Sequence, residues 1–187
     1  MDDARFPLIL DAARRGEEWA ARDLFEAFQP LILRFLCYQE PRAADDLAGE
    51  VWMAVAGGLA GFDGDRSGFA AWVFTIARRR VAEHRRRGIR RRTEPIDPGA
   101  LLDLPCEEDD PSSTAIDRMS GQEAVELLAT HLSTDQAEVL LLRVMVDLDT
   151  ATVARLLGRS ENWVRVTQHR AVARLAQRMG SELEPVA

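Results

Sequence analysis

The sequence predicts an all-α protein of two small helical domains joined by a flexible acidic linker. Apolar residues recur at helical spacing through residues 5–92 and again through residues 113–180, and no segment alternates between polar and apolar as a half-buried strand does. Residues 93–112 hold four prolines among acidic residues, a composition that disfavours a packed element. The second domain is predicted to contain a helix-turn-helix.

The first 41 residues predict three short helices. An apolar face over residues 8–13 ends at Gly16, and a second helix spans about residues 17–28. Pro30 is expected to start a third helix, which Pro41 ends. The side chains assigned to the core of the second helix are Trp19, Leu24, Phe25 and Phe28.

A fourth helix, over about residues 44–59, carries an apolar stripe and a separate acidic face with Asp46 and Glu50. Trp52 lies about 140° around this helix from Leu47 and therefore falls outside the stripe. Two interpretations stay open at this point. Trp52 is either an exposed hot spot for binding another protein or a side chain that packs on a neighbouring helix of the bundle.

A glycine-rich loop over residues 57–68 precedes a helix of residues 68–87 in which one side is apolar and the other is rich in arginine. The loop lacks the spacing of a phosphate-binding P-loop. Residues 78–92 hold nine arginines and one glutamate, although the whole chain has a net charge of −7. This local positive charge favours a nucleic-acid partner.

The second domain contains the signals of a helix-turn-helix. Residues 133–136 form a capping box, and Asp149 or Thr150 is expected to cap a short helix that ends at Gly158. Ser160 then caps a last helix, on whose outer face Arg165 suits guanine and Asn162 suits adenine.

Several classes of protein are disfavoured. No apolar run is long enough to span a membrane, and an acidic start argues against a secretory signal. Cys37 and Cys106 are expected to be reduced thiols of a cytoplasmic protein. The three histidines are scattered, so neither an enzyme nor a cofactor or metal site is predicted. A helix-turn-helix regulator that acts without RNA polymerase remains an alternative.

Several motifs together resemble the extracytoplasmic-function (ECF) sigma factors. They are RAADDLAGEVW at residues 42–52, LAGF at 59–62, FAAWVFTIAR at 69–78, and the second-domain block that runs from LLLR at 140–143 through LGRS at 157–160 to VR at 164–165 and RA at 170–171. The order of the motifs, the linker and the total length of 187 residues also match the family. The resemblance therefore covers nearly the whole chain.

The resemblance implies binding to core RNA polymerase and to promoter DNA. Residues 5–92 would bind the β′ clamp helices and the minus-ten element. The linker, residues 93–112, would run through the polymerase. Residues 113–180 would touch the β flap and bind the minus-thirty-five element. The implied polymerase-binding residues are Asp45, Asp46, Leu47, Glu50 and Trp52. Those for the minus-ten element are Phe62, Asp63, Arg66, Phe69, Trp72, Arg78, Arg79, Arg85 and Arg86. Those for the minus-thirty-five element are Ser160, Glu161, Asn162, Trp163, Arg165, Val166, His169 and Arg170.

The chain also departs from the family pattern. Asn162 and Trp163 stand where a small Gly-Thr-like pair is common, and Thr167 replaces a frequent basic residue, so the minus-thirty-five sequence stays open. Gly57 and Gly58 are expected to loosen the end of the polymerase-binding helix. Many relatives are held inactive by an anti-sigma protein, and such a partner is left open here.

Overall fold

The computed structural model describes residues 2–93 and 131–182, with side chains through residues 89 and 177, and the regular structure of these residues is entirely helical. The predicted linker (except Thr93, the end of a helix) and residues 113–130 lie outside the described residues. The boundaries of the two domains therefore stay a prediction. None of the described helices is both long enough and apolar enough to cross a membrane.

Four α-helices form the first segment. They are α1 (Phe6–Arg14), α2 (Glu18–Gln39), α3 (Ala44–Gly58) and α4 (Arg66–Thr93), with 3₁₀ turns at Pro41–Ala43 and Leu59–Gly61 on either side of α3. Aromatic rings fill the centre of this bundle. The Phe69 ring lies 5.1 Å from that of Phe28 and 5.6 Å from that of Phe6, and Phe35 meets Phe74 edge-on at 5.4 Å.

One helix replaces the two that Pro30 was expected to separate. Pro30 lies inside α2, so the prediction of a restart there is wrong. The buried residues Leu24, Phe28, Ile32 and Phe35 keep the same helical phase across the proline. Burial of one continuous apolar stripe therefore outweighs the loss of a backbone donor at an exposed position.

Two side chains assigned to the core, and one on the predicted apolar face of residues 8–13, are exposed. Trp19 and Phe25 are 40% and 43% exposed, and Leu8 is 61% exposed. Each lies next to a buried residue of its own helix. Trp19 is next to Ala20, Phe25 is next to Leu24, and Leu8 is next to Ile9. The expectation that Trp19 and Phe25 fill the core is thus wrong.

The second segment is a compact helix-turn-helix with one further helix before it. It comprises α5 (Thr134–Leu140), which continues as a π-helical turn at Leu141–Met145, then α6 (Thr150–Leu157) and α7 (Glu161–Glu182). Its core residues are Val139, Leu141, Leu142, Leu148, Val153, Val164 and Ala171, each at most 2% exposed.

Local hydrogen bonds define the ends of these helices. The capping box is confirmed, since the Ser133 hydroxyl accepts from the Gln136 amide at 3.4 Å and the Gln136 side chain accepts from the Ser133 amide at 3.1 Å. Asp149 caps α6 by accepting from the Thr152 amide at 2.8 Å. Gly158 adopts φ +64°, the left-handed turn predicted between the two helices.

Candidate nucleic-acid and protein interface

The first turn of α3 presents acidic groups at the surface. Asp45 and Asp46 are exposed, and negative charge at a helix N-terminus is favourable because it faces the positive end of the helix dipole. Leu47 is only 1% exposed and packs inward. Of the five residues expected to bind a protein partner, Leu47 therefore acts by holding α3 in the bundle rather than by offering a surface.

Trp52 combines features of both open interpretations. Its ring lies 5.1 Å from that of Phe25, and its Nε1 donates to Oε1 of Gln29 at 2.6 Å, so the indole packs on α2. Its side chain is nevertheless half-buried rather than internal. Together with the 43%-exposed Phe25, Trp52 forms an aromatic surface that we call the Trp52–Phe25 patch.

Phe25 is a member of this surface that sequence reasoning assigned to the core. Its spacing carried a usable signal, because Leu24 and Phe28 already occupy the stripe and a residue next to Leu24 is turned by about 100°. The partner helix could not be identified from spacing alone. Only the packing of α2 on α3 brings Phe25 to Trp52.

Glu50 lies on the side of α3 that faces α4. Its carboxylate pairs with Arg87 at 3.2 Å and with Arg80 at 3.8 Å. These pairs line an open charged groove of about 500 Å³, together with Met53 and Glu83. The groove is polar and open, unlike the enclosed apolar pockets that small ligands prefer.

The end of α3 is packed rather than loosened. A Cβ at Gly58 would lie 2.7 Å from Cζ2 of Trp72, so the missing side chain makes room for the indole. Phe62 stacks on the same indole, with ring centroids 5.1 Å apart and an angle of 24° between the planes. Phe62 also meets the fully buried Phe69 edge-on at 5.4 Å. Phe62 and Trp72 are thus half-buried, whereas Phe69 belongs to the core.

The chain between Phe62 and α4 forms a tight turn, which we call the Phe62–Asp65 loop. Asp65 accepts from the Gly68 amide through Oδ1 at 2.7 Å and so caps α4. Asp63 is fully exposed at the outer side of the loop. Arg66, on the first residue of α4, is 31% exposed and lies 3.6 Å from Asp3.

The arginines of α4 divide into two sets. Arg85 donates to Glu40 and to the Gln39 carbonyl at the end of α2, while Arg78 donates to Glu138 of α5 at 2.8 Å. Arg79 and Arg86 are exposed, and they donate within their own helix, to Glu83 and to the Ala82 carbonyl. Arg79 and Arg86 are therefore better placed for phosphate than Arg78 and Arg85.

Arg79 also affects the charge of its neighbour. The hydrogen bond from Arg79 is the largest cause that holds the pKa of Glu83 below its usual value, with a smaller contribution from Arg80. Glu83 therefore stays ionised at neutral pH and partly offsets the positive charge of this helix.

The first three turns of α7 have one buried and one exposed side. Val164, Thr167 and Ala171 are buried. The exposed residues are Ser160, Glu161, Asn162, Arg165, Val166, His169 and Arg170. Ser160 accepts from the Trp163 amide at 3.2 Å and so caps the helix as predicted. Arg165 pairs with Glu161 at 2.8 Å on the outer face.

Trp163 differs from the other residues predicted on this face. It is half-buried against the core, and the guanidinium of Arg159 lies 5.1 Å from its ring centroid. A cation over an indole face is attracted by its electron density. Trp163 therefore packs at the turn between α6 and α7. Thr167 is buried, and a basic residue in its place would need a buried partner for its charge.

Comparison with known proteins identifies the family. Sigma-70 region 2 matches residues 24–92, and sigma-70 region 4 matches residues 122–175. The ECF RNA polymerase sigma factor ShbA of Streptomyces griseus is 33% identical over 181 residues, which cover 89% of this chain and 91% of the relative. The chain belongs to the ECF RNA polymerase sigma factors.

Two further relatives support this membership. The sigma factor SigD of Mycobacterium tuberculosis is 30% identical over 181 residues, covering 94% of this sigma factor and 84% of SigD. BldN of Streptomyces coelicolor is 29% identical over 178 residues, and the present chain spans 66% of its length. This protein is accordingly an alternative sigma factor, and sigma factors are regulatory subunits of RNA polymerase rather than catalysts.

Solved structures show the same fold. CnrH, in complex with the cytosolic domain of CnrY, matches with a TM-score of 0.58 at 20% identity over 94% of this chain and 97% of that one. The sigma factor RpoE from Bartonella quintana, in complex with the anti-sigma factor NepR, matches with a TM-score of 0.56 at 21% identity over 88% and 99%. The helical bundle and helix-turn-helix of this sigma factor are thus arrangements found in experimentally determined structures.

Proposed function

We propose that this sigma factor joins core RNA polymerase and holds promoter DNA at two places to start transcription of a specific set of genes. The observation that carries the proposal is the exposed face of α7, where Asn162, Arg165 and His169 follow a tight left-handed turn at Gly158. Exposed residues in the first turns of the second helix of a helix-turn-helix are those that reach base edges in the major groove. We assign this face to the minus-thirty-five element.

The polymerase contact is assigned to α3. Asp45 and Asp46 supply negative charge at its first turn, and the Trp52–Phe25 patch supplies exposed aromatic area nearby. A partly buried aromatic beside charged residues is the composition of a binding hot spot. We propose that the β′ clamp helices bind this surface, and that Glu50 contributes through its ion pairs with α4.

The minus-ten contact is assigned to the Phe62–Asp65 loop and to α4. Asp63 is exposed at the loop, and Arg79 and Arg86 lie on the exposed side of the helix. Strand separation exposes unpaired bases, which can stack on aromatic rings. Arginines can bind the phosphates of the separated strand. Phe62 and Trp72 are stacked on each other, so a base held there would contact their exposed parts.

Two further expectations follow from the family. We propose that the protein works in the cytoplasm, where bacterial RNA polymerase and promoters meet. We propose an anti-sigma protein as its class of regulator, because CnrH and RpoE are each solved with a protein partner, which in the case of RpoE is an anti-sigma factor.

The test is transcription with purified components. The full chain is mixed with core RNA polymerase and genomic DNA of the host, and the 5′ ends of the transcripts are sequenced. We expect start sites that are absent with core polymerase alone and that share two upstream elements. Specific binding to duplex DNA without any initiation would contradict the proposal and favour a regulator that acts without polymerase.

A further inference from the structure

The C-terminal end of α1 is tied to the Phe62–Asp65 loop by one arginine. Nη2 of Arg14 donates to the backbone carbonyl of Phe62, and Nη1 donates to Oδ1 of Asp11 at 3.1 Å on its own helix. Asp63 lies at 4.0 Å from the same guanidinium. A single side chain thus joins α1 to the first two residues of the loop.

Burial makes this contact more than a surface pair. The Arg14 side chain is 27% exposed, and its Nε is buried without a hydrogen-bond partner in the described residues. A charged donor that binds a carbonyl in a partly desolvated place forms a stronger hydrogen bond than a neutral one. The contact therefore restrains the Phe62 backbone directly.

A second charge contact meets the other end of the loop. Arg66 lies 3.6 Å from Asp3, so the segment before and within α1 contacts both Phe62 and Arg66. Gly61 directly precedes the loop and Gly64 lies within it, and both add backbone freedom to this part of the chain. Restraint at both ends reduces the number of conformations available to the intervening residues.

We propose that Arg14 is a positioning residue for minus-ten recognition, which it supports by fixing the backbone of the Phe62–Asp65 loop. The proposal rests on the assignment of that loop to the minus-ten element. Arg14 lies ahead of residues 24–92, which match sigma-70 region 2. We assign its action to the Phe62 carbonyl, because each terminal nitrogen donates to a protein oxygen and the side chain is only 27% exposed.

The next residue provides a matched control. Arg15 is also an arginine at the end of α1, but it is 61% exposed and pairs with Glu17 at 2.7 Å rather than with the loop. Arg14→Gln keeps much of the length of the side chain and removes its charge, while Arg14→Lys keeps the charge and loses the two-pronged donor. Arg15→Gln removes a charge at the same place in the fold.

The first measurement is amide hydrogen exchange of the full chain. We expect Arg14→Gln to raise exchange in the peptide that covers residues 59–68, with little change in α2 and α3, and Arg15→Gln to leave this peptide as in the wild type. Equal exchange in both variants, or a rise spread over the whole bundle, would overturn the positioning role.

The second measurement is open-complex formation with core polymerase at the strongest promoter found in the transcription assay. We expect Arg14→Gln to slow opening about tenfold, the effect of one lost charge-assisted hydrogen bond, with unchanged affinity for core polymerase. Arg14→Lys should fall between the wild type and Arg14→Gln. Normal opening by Arg14→Gln, or an equal loss of polymerase affinity, would refute the inference.

The two proposals fail in different ways. If the wild-type chain does not initiate with core polymerase, the proposed function is contradicted, and the minus-ten role of Arg14 is contradicted with it. If the wild type initiates and Arg14→Gln behaves as Arg15→Gln does, only the role of Arg14 is contradicted.

Discussion

Nε of Arg78 donates to Oε1 of Glu138 at 2.8 Å and thereby joins α4 of the first segment to α5 of the second. Nη1 of the same arginine donates to the Leu156 carbonyl near the end of α6. The Glu138 side chain is only 11% exposed. Two of the three guanidinium nitrogens of Arg78 thus bind the second segment, so separation of the segments would free them for a DNA phosphate.

This pair predicts that Glu138→Gln loosens the contact between the segments. The neutral amide keeps the shape but loses the charge, which should weaken the contact by about 1–3 kcal/mol. Small-angle X-ray scattering of the full chain should show a larger radius of gyration for the variant. Glu18→Gln, at an exposed pair with Arg22, is the control. An unchanged radius for Glu138→Gln would contradict this role of the pair.

Trp52→Ala is expected to weaken binding to core polymerase by about 2 kcal/mol or more, because it removes the larger of the two rings of the Trp52–Phe25 patch. Affinity is measured by titrating labelled sigma factor with core polymerase. Trp19→Ala is a matched control, since Trp19 is a 40%-exposed tryptophan on α2 whose indole donates to Glu17. If both variants bind equally well, the patch is not the polymerase contact.

Arg165→Ala is expected to weaken binding of the holoenzyme to the minus-thirty-five duplex by about 1–3 kcal/mol if the arginine contacts a guanine. Loss of preference at one base pair, seen in a set of singly substituted promoters, would identify that contact. Arg22→Ala serves as the control, because Arg22 also pairs with a glutamate one helical turn away on an exposed face. An unchanged footprint over the upstream element would argue against the assignment.

Asp149 gives the second segment a predictable pH dependence. Hydrogen bonds from the amide and hydroxyl of Thr152 hold the pKa of Asp149 below its usual value. Its contribution to the free energy of unfolding is present above the unfolded-state pKa of about 3.9 and is lost as the pH falls through the lower folded-state pKa.

Asp149→Ala should therefore lower the free energy of unfolding by about 1 kcal/mol near neutral pH, and by less once the wild-type carboxylate is protonated. Asp149→Asn keeps an oxygen acceptor and should lose less near neutral pH, without the same acid dependence. Urea unfolding at a series of pH values measures both variants. A constant difference between Asp149→Ala and the wild type at all pH values would rule out this linkage.

Local signals predicted the second segment well. The capping box at Ser133, the cap at Asp149, the left-handed Gly158 and the cap at Ser160 each depend on residues within a few positions of one another. Such contacts are encoded in the nearby sequence, so periodicity and cap chemistry suffice to place them.

Contacts between helices were harder to predict. Pro30 suggested a break because local propensity does not include the buried stripe that continues past it. The α4 arginines looked equivalent along the sequence, yet Arg78 and Arg85 bind groups 60 and 45 residues away and Arg79 does not. Helical spacing gives the face of a residue but not the element that packs against it.

The Phe6 ring, 5.6 Å from Phe69 and itself fully buried, has a practical consequence for dissecting this protein. A fragment cut to the matched region, beginning at residue 24, would leave out α1 and open the aromatic centre of the bundle to water. Loss of a buried phenylalanine alone costs about 3–5 kcal/mol, a large part of the stability of a small domain. The match to sigma-70 region 2 begins well inside the unit that has to fold, so expression of the first domain should start ahead of Asp3.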